Sequence, residues 1–222
     1  MTIQRVKNII TREDLRPELV KEMQEKEASG TLNAETDIVP YFFYLATKGQ
    51  SLNLQPAGTQ TPSMIFESAY RSSEKDPSIR QAIEGRNLAY AQKCAYQLIR
   101  EGFIPYASHI KYIGPLNDAN SHHRCVGITM GKLEEINVPA VSIFPECGIS
   151  SGMIYGCHLH LYFNKMPIMQ GLGEKYKTDI GLADDCLPLS FEKGLAIAKR
   201  EIWSKKTEII QAIDEKIGVR TI

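Results

Sequence analysis

An α/β protein, a parallel sheet with helices on both faces, is the fold class this sequence predicts. Two observations carry it. Short apolar runs alternate with helical stretches from Met64 to Met169 in the order β-α-β-α-β-α-β. The run Ala140–Phe144 (AVSIF) bears no charge, as expected of a strand covered on both sides. Right-handed crossovers between such strands leave few topologies. Around this core, residues 64–175, the sequence places an N-terminal extension with a helix and a linker, 1–63, and a C-terminal helical segment, 176–222, dominated by one long helix.

The elements follow in order. Thr11–Ala28 is a charged helix with Leu15, Leu19, Val20 and Met23 as a partial apolar stripe, ended by Gly30. Ile38–Ala46 (IVPYFFYLA) is a short apolar helix docked on the core. Gly49–Ser63, with Pro56, Gly58 and Pro62, reads as linker or ordered loop. Met64–Glu67 is the first core strand, and 68–73 a polar turn at its carboxyl end. Pro77–Arg100 is the clearest helix, with Leu88, Ala91, Ala95, Leu98 and Ile99 at helical spacing. Phe103–Ala107 is a strand, and 108–120 a loop. His122–Ile136 is a helix with Val126, Met130, Leu133 and Ile136 as apolar positions. After Ala140–Phe144 come a turn rich in small residues, a helix capped by Ser150 or Ser151, and the strand Met166–Met169. Gly171–Gly181 reads as a mobile loop. Ser190–Ile217 is the long helix, anchored by the single tryptophan, Trp203, to the core or to another subunit.

Composition narrows the function. Twenty-six Lys and Arg balance 26 Asp and Glu, so no net field favours a nucleic-acid polymer or an anionic membrane. No apolar run is long enough to span a bilayer, and the charged N-terminus lacks a signal-peptide core. Five irregularly spaced cysteines read as reduced thiols of a cytoplasmic protein. Nothing calls for a cofactor, and no paired Cys-x-x-Cys or His-Glu-x-x-His spacing marks a metal site.

In an open α/β sheet ligands bind at the carboxyl ends of the strands. Two turns there hold chemistry. The first is Ser68-Ala69-Tyr70-Arg71; the second, Gly148-Ile149-Ser150-Ser151-Gly152-Met153, opens a helix whose free N–H groups favour an anion such as phosphate. An ordinary strand–helix turn explains the second equally well. Arg71 reads as an anion contact or as a surface partner of Glu74 or Asp76.

The segments MIFESAYRSS, GFIPYASHIKYIGPLND, SIFPECGISSGM and KMPIM, with Gly127-Ile128 and Gly131 between them, resemble the nucleoside 2-deoxyribosyltransferase-like superfamily, which includes deoxynucleoside monophosphate N-hydrolases. The resemblance covers 64–169 and implies a flavodoxin- or Rossmann-like fold and a nucleoside or nucleotide as partner. It implies sugar or phosphate contacts from Ser68, Tyr70 and Arg71, a phosphate or ribose turn at Ser150, Ser151, Gly152 and Met153, and His109 lining the base pocket. It also implies a glutamate nucleophile on the last helix, in the pattern Ser-x-Gly-x-x-x-Glu. Counted from Ser150, that position is Gly156, and no carboxylate lies from Gly148 through Lys165. Thr129 and Met130 stand where an assisting aspartate is expected. The candidate catalytic carboxylates are therefore Glu146 near the turn, Glu67 at the end of the first strand, and Asp118, which is also a natural turn former. The resemblance leaves two activities open: N-glycosidic-bond chemistry, or a catalytically inactive nucleotide sensor or sequestering protein. Cys157 with a neighbouring histidine reads as a thiol nucleophile with its base, Cys147, Cys157, His158 and His160 read as a metal site, or all of them as plain packing; positions two apart do not share a helix face. The apolar surface of 38–46 and of the last helix predicts a homo-oligomer, because a doubly wound core already has both sheet faces covered.

Overall fold

The computed structural model describes residues 9–48, 52–53, 63–112, 115–136, 138, 141–163, 167–177 and 190–218. Most of the expected 49–63 linker and the end of the 171–181 loop lie outside the described residues.

The core sheet has four parallel strands: β3 (Ser63–Ser68), β4 (Ile104–Tyr106), β5 (Val141–Phe144) and β6 (Ile168–Met169), in the spatial order β4-β3-β5-β6. A separate antiparallel pair, β1 (Ile9–Ile10) with β2 (Leu52–Asn53), lies outside it. The order of the four core strands, 2-1-3-4 by sequence, is that of the flavodoxin-like, doubly wound class, and it reverses direction between β3 and β5. The loops after β3, β4 and β5 therefore splay apart at that point and leave a crevice.

The pleat of β3 sorts its side chains onto two layers. Met64 and Phe66 face α3 (Pro77–Arg100), packing with Tyr90, Cys94 and Leu98. Ile65 faces the other way, into a cluster with Val141, Ile143, Met153, Cys157 and Leu161. Helix α3 has the bounds its periodicity predicts, begun by Asp76, whose carboxylate accepts from the backbone N–H groups of Ser78 and Ile79. Pro105 sits in β4, an edge strand, where the missing N–H costs no ladder bond.

The N-terminal extension is part of the packed body. Helices α1 (Pro17–Ser29) and α2 (Ile38–Thr47) join α5 (Ser121–Ile136), α6 (Ser151–Tyr162) and α9 (Lys206–Ile217) around one cluster that includes Tyr41, Phe42, Phe43, Tyr44, Tyr162, Ile209 and Ile213. Gly30 ends α1 in the left-handed region at φ 68°.

The structure redraws three expected elements. The 108–120 loop begins with a short helix, α4 (Ser108–Lys111), and residues Glu174–Lys177 of the expected mobile loop form α7. The C-terminal helical segment is present but broken: α8 (Phe191–Glu201), capped by Ser190, ends at Ile202, and a 3-10 turn at Trp203–Lys205 redirects the chain into α9. Trp203 packs, partly buried, against the cluster beneath β3 and β5.

Helix α8 crosses the turn after β5 at Gly194. A Cβ there would lie 2.6 Å from the Pro145 carbonyl oxygen and 2.7 Å from its Cβ. Backbone cannot yield as a flexible side chain does, so Gly194→Ala is expected to cost about 1–3 kcal/mol in urea denaturation. A cost below 0.5 kcal/mol would show that α8 is free to shift.

Candidate functional site

The crevice at the sheet's switch point is a cavity of about 120 Å³, lined by Glu67, Ser68, Tyr70 and Arg71 after β3, by Ser108 and His109 of α4, by Arg124, Ile128 and Lys132 of α5, and by Ser150, Gly152 and Met153 at the start of α6. It opens beside a shallower recess of about 800 Å³ that shares Arg71, Asp118, Arg124 and Ser150 and adds Lys75, Arg80 and Ser151.

Helix α5 approaches α4 and the loop after it closely because two of its residues are glycine. A Cβ at Gly131 would lie 2.5 Å from the Ser108 Cβ, and one at Gly127 3.1 Å from Leu116 Cδ1. The same face, at helical spacing, delivers Arg124, Ile128, Lys132 and Glu135.

Under the cavity lies a buried chain of charge. Lys132 Nζ contacts Glu67 Oε1 and lies 2.6 Å from Glu135 Oε1; Glu135 Oε2 lies 3.0 Å from His160 Nε2. The four side chains are 1–7% exposed. Room for the ammonium comes from Gly156, where a Cβ would stand 2.5 Å from Nζ. Burial pulls the Lys132 ammonium down, but the Glu135 and Glu67 carboxylates outweigh it and hold it above the ordinary lysine value. Burial, reinforced by Glu135 and opposed by Lys132, pushes Glu67 up to about 7. Beside it the Ser68 hydroxyl and His109 Nε2 are 3.1 Å apart, and His109 Nδ1 is buried without a partner. Burial lowers His109 below the ordinary histidine value; Glu67 opposes this and Lys132 adds to it.

At the mouth, Arg71 Nη1 donates to the Asp118 backbone carbonyl and lies 3.3 Å from Asp118 Oδ2. Its partner is thus Asp118, not Glu74 or Asp76. Arg124 Nη2 donates to Ser151 Oγ at 2.9 Å. Ser150 is the cap of α6, its Oγ accepting from Met153 N at 3.3 Å.

Glu67, Ser68, Tyr70, Arg71, His109, Asp118, Ser150, Gly152 and Met153 come together around one cavity. Ser151 lines only the adjoining recess. Glu146 is elsewhere: it is 2% exposed on the α3 side, accepts from Tyr90 Oη and, at 2.8 Å, from Leu172 N, and lies 3.3 Å from Lys177 Nζ. Nearness to the turn in sequence did not give the face on which its side chain lies. Cys157, His158 and His160 diverge. Cys157 packs beneath the sheet, its thiol raised by burial; His160 meets Glu135; His158 is pushed down to about 4 by burial. Among the described residues no group of three or more His, Cys, Asp or Glu is placed to hold a metal ion. Sequence reasoning missed Arg124, Lys132, Glu135 and the role of His160. The available signal was Gly127, Gly131 and Gly156 in helix interiors, where glycine is costly unless something approaches closely.

The sequence model of one protein family, described as a domain of unknown function (DUF7768), matches residues 67–169, from Glu67 to the end of β6. No curated protein and no solved structure matches the chain. No helix of the described residues is long and apolar enough to cross a membrane.

Proposed function

We propose that the protein recognises a nucleotide, a phosphorylated nucleoside or a closely related ribosyl phosphate, in the crevice between the ends of β3, β4 and β5. The observation that carries this reading is the meeting of two guanidinium groups, Arg71 and Arg124, with the capped start of α6 at one end of the cavity. Guanidinium and helix-start N–H groups are the usual partners of phosphate oxygens. The cavity is smaller than the 300–1,000 Å³ typical of ligand sites, so the phosphate end belongs in the adjoining recess and the sugar below it. The likeness to the nucleoside 2-deoxyribosyltransferase-like superfamily supports the same class of ligand. Arg71 and Arg124 keep donors beyond those used by Asp118 and Ser151, since each guanidinium has five.

Calorimetry on a nucleoside and its 5′-monophosphate tests the reading. The monophosphate is expected to bind at least about tenfold tighter, and Arg124→Ala to remove roughly 1.5–3 kcal/mol of that affinity. Arg71→Lys should restore charge without two-point geometry and recover only part of the loss seen in Arg71→Ala. Equal affinity for nucleoside and monophosphate would overturn the reading.

A second reading, non-catalytic binding, is favoured by Gly156, which stands where the enzymes of the superfamily this chain resembles carry their nucleophile. The Lys132 ammonium fills that space instead. We place the protein in the cytoplasm, a reading supported by its cysteines: Cys94, Cys125, Cys147 and Cys157 are free thiols. A homo-oligomer is supported by the exposed Tyr96 and Ile99 of α3, since Tyr41, Phe42, Phe43 and Tyr44 are already covered within the chain. A monomeric mass in light scattering would overturn it.

A further inference from the structure

We propose that Glu67 is the proton-transferring carboxylate of this cavity, in place of the one absent from α6, and that Lys132 is the residue that positions it. The inference rests on the nucleotide reading above. Four features of the geometry carry it. Glu67 stands one residue before the end of β3, at the switch point, where its backbone pairs with Ile143 of β5. Its carboxylate lines the cavity together with Ser68, His109 and Met153. Lys132 grips Oε1 and is itself fixed by Glu135, which His160 holds from behind. Finally, Gly156 keeps open the space that the ammonium needs.

A buried ion cluster is a poor way to gain stability, because apolar residues of equal volume do as well or better. This one touches a cavity at the place where α/β folds bind ligands, which points to chemistry. Charged and titratable groups face Glu67 from three elements: Lys132 and Glu135 on α5, His109 on α4, and Cys157 on α6, with His160 behind Glu135. Burial holds the Cys157 thiol protonated and favours neutral His109, while Lys132 stays charged and is no nucleophile. Glu67, pushed up to about 7, exchanges a proton near neutrality, where a general base is most effective.

The step balances without a co-reactant other than water. A water in the cavity passes a proton to the Glu67 carboxylate as its oxygen bonds to the anomeric carbon. The C–N bond breaks and its electron pair leaves with the base. The departing base takes its proton from water on its own face of the sugar, and Glu67 gives its proton up to solvent. Water has been added across the N-glycosidic bond, as an inverting hydrolase does with a carboxylate base.

The test uses the full chain and the 2′-deoxynucleoside 5′-monophosphates of the four common bases, with free base followed by chromatography and affinity by calorimetry. Glu67→Gln is expected to lower base release roughly 100-fold while leaving the monophosphate dissociation constant within about twofold. In the native protein kcat should rise with pH and level off above about 7; Lys132→Met should move that limb to higher pH, because the carboxylate loses its cation. A purely structural Lys132 would change the melting temperature and leave the limb in place, which overturns its positioning role. Should Glu67→Gln fail to fold, Glu67→Asp, one methylene shorter, should keep the fold and still lose release. Release undiminished in either folded variant overturns the inference. Tight monophosphate binding with no release from any base overturns it too, but leaves the nucleotide reading standing. Absence of binding removes both.

Discussion

Lys132→Met should lose about 3–5 kcal/mol of stability at pH 8, because the change leaves two buried carboxylates without their cation. Methionine matches the length of the lysine stem, so the loss reports charge rather than a cavity. The pH dependence has a definite sign. In the native protein the pKa of Glu67 is raised from 4.5 to about 7. Its contribution to stability is therefore fully present below the unfolded value and is lost as pH climbs through about 7. Without Lys132 the folded value rises further, so the loss extends to higher pH and the variant suffers less at pH 5, where Glu67 takes up a proton more readily. Lys132 itself, raised in the fold, contributes stability below its unfolded value and loses it only above its folded one, outside the range tested. Urea denaturation at pH 5 and 8 decides the matter. Equal losses at the two pH values would mean that the chain Glu67–Lys132–Glu135–His160 carries no net charge effect. The double variant Lys132→Met with Glu67→Gln should recover part of the loss at pH 8, since one uncompensated charge is gone.

Phe43→Ala should cost about 3–5 kcal/mol, as deletion of a fully buried aromatic ring does. Phe43 has no solvent exposure. Its ring stands edge-on to Phe42 at 5.2 Å and to Tyr162 at 5.3 Å, with Phe163 at 6.0 Å. Those neighbours belong to α2 itself and to the end of α6, the helix whose first turn borders the cavity. The variant therefore also tests whether α2 is part of the folding unit. A single cooperative transition at lower urea would show that it is. A loss under 1 kcal/mol would mean that α2 docks loosely and that the core stands without it.

The parts of the fold legible in the sequence were those set by local periodicity. The alternation from β3 to β6, the length of α3 and the caps Ser150 and Ser190 all rest on spacing within a few residues. What was illegible depended on long-range partners. Glu67 and Lys132 are 65 residues apart, and neither carries a pattern that announces the other. Met130, assigned to the apolar stripe of α5, is 38% exposed, because the buried stripe of that helix includes Lys132 and Glu135 and a hydrophobicity count discards them. The break at Trp203 likewise leaves no sign in Ser190–Ile217, where apolar residues recur at helical spacing on both sides of it. Glu67 and Glu146 looked equivalent as carboxylates near a turn. The pleat of β3 carried one to the α5–α6 layer, and the turn after β5 carried the other to Tyr90 beneath α3.

The backbone N–H of Arg16 donates to the carbonyl of Ile217 at 3.1 Å, and its guanidinium reaches the carbonyl of Lys216, 200 residues away in the chain. Around that contact α2 shares its apolar cluster with Ile209, Ile213 and Ile217 of α9. A ribosome delivers α2 early and α9 late. Throughout the interval the Tyr41–Tyr44 surface lacks part of its cover, and an apolar surface exposed on a growing chain is what chaperones bind and aggregates form on. The wait ends only when α9 leaves the exit tunnel, and closing so long a loop adds the entropic cost that makes such topologies fold slowly. Translation speed over the whole stretch from α2 to α9, the sheet included, therefore sets how long each new molecule remains vulnerable.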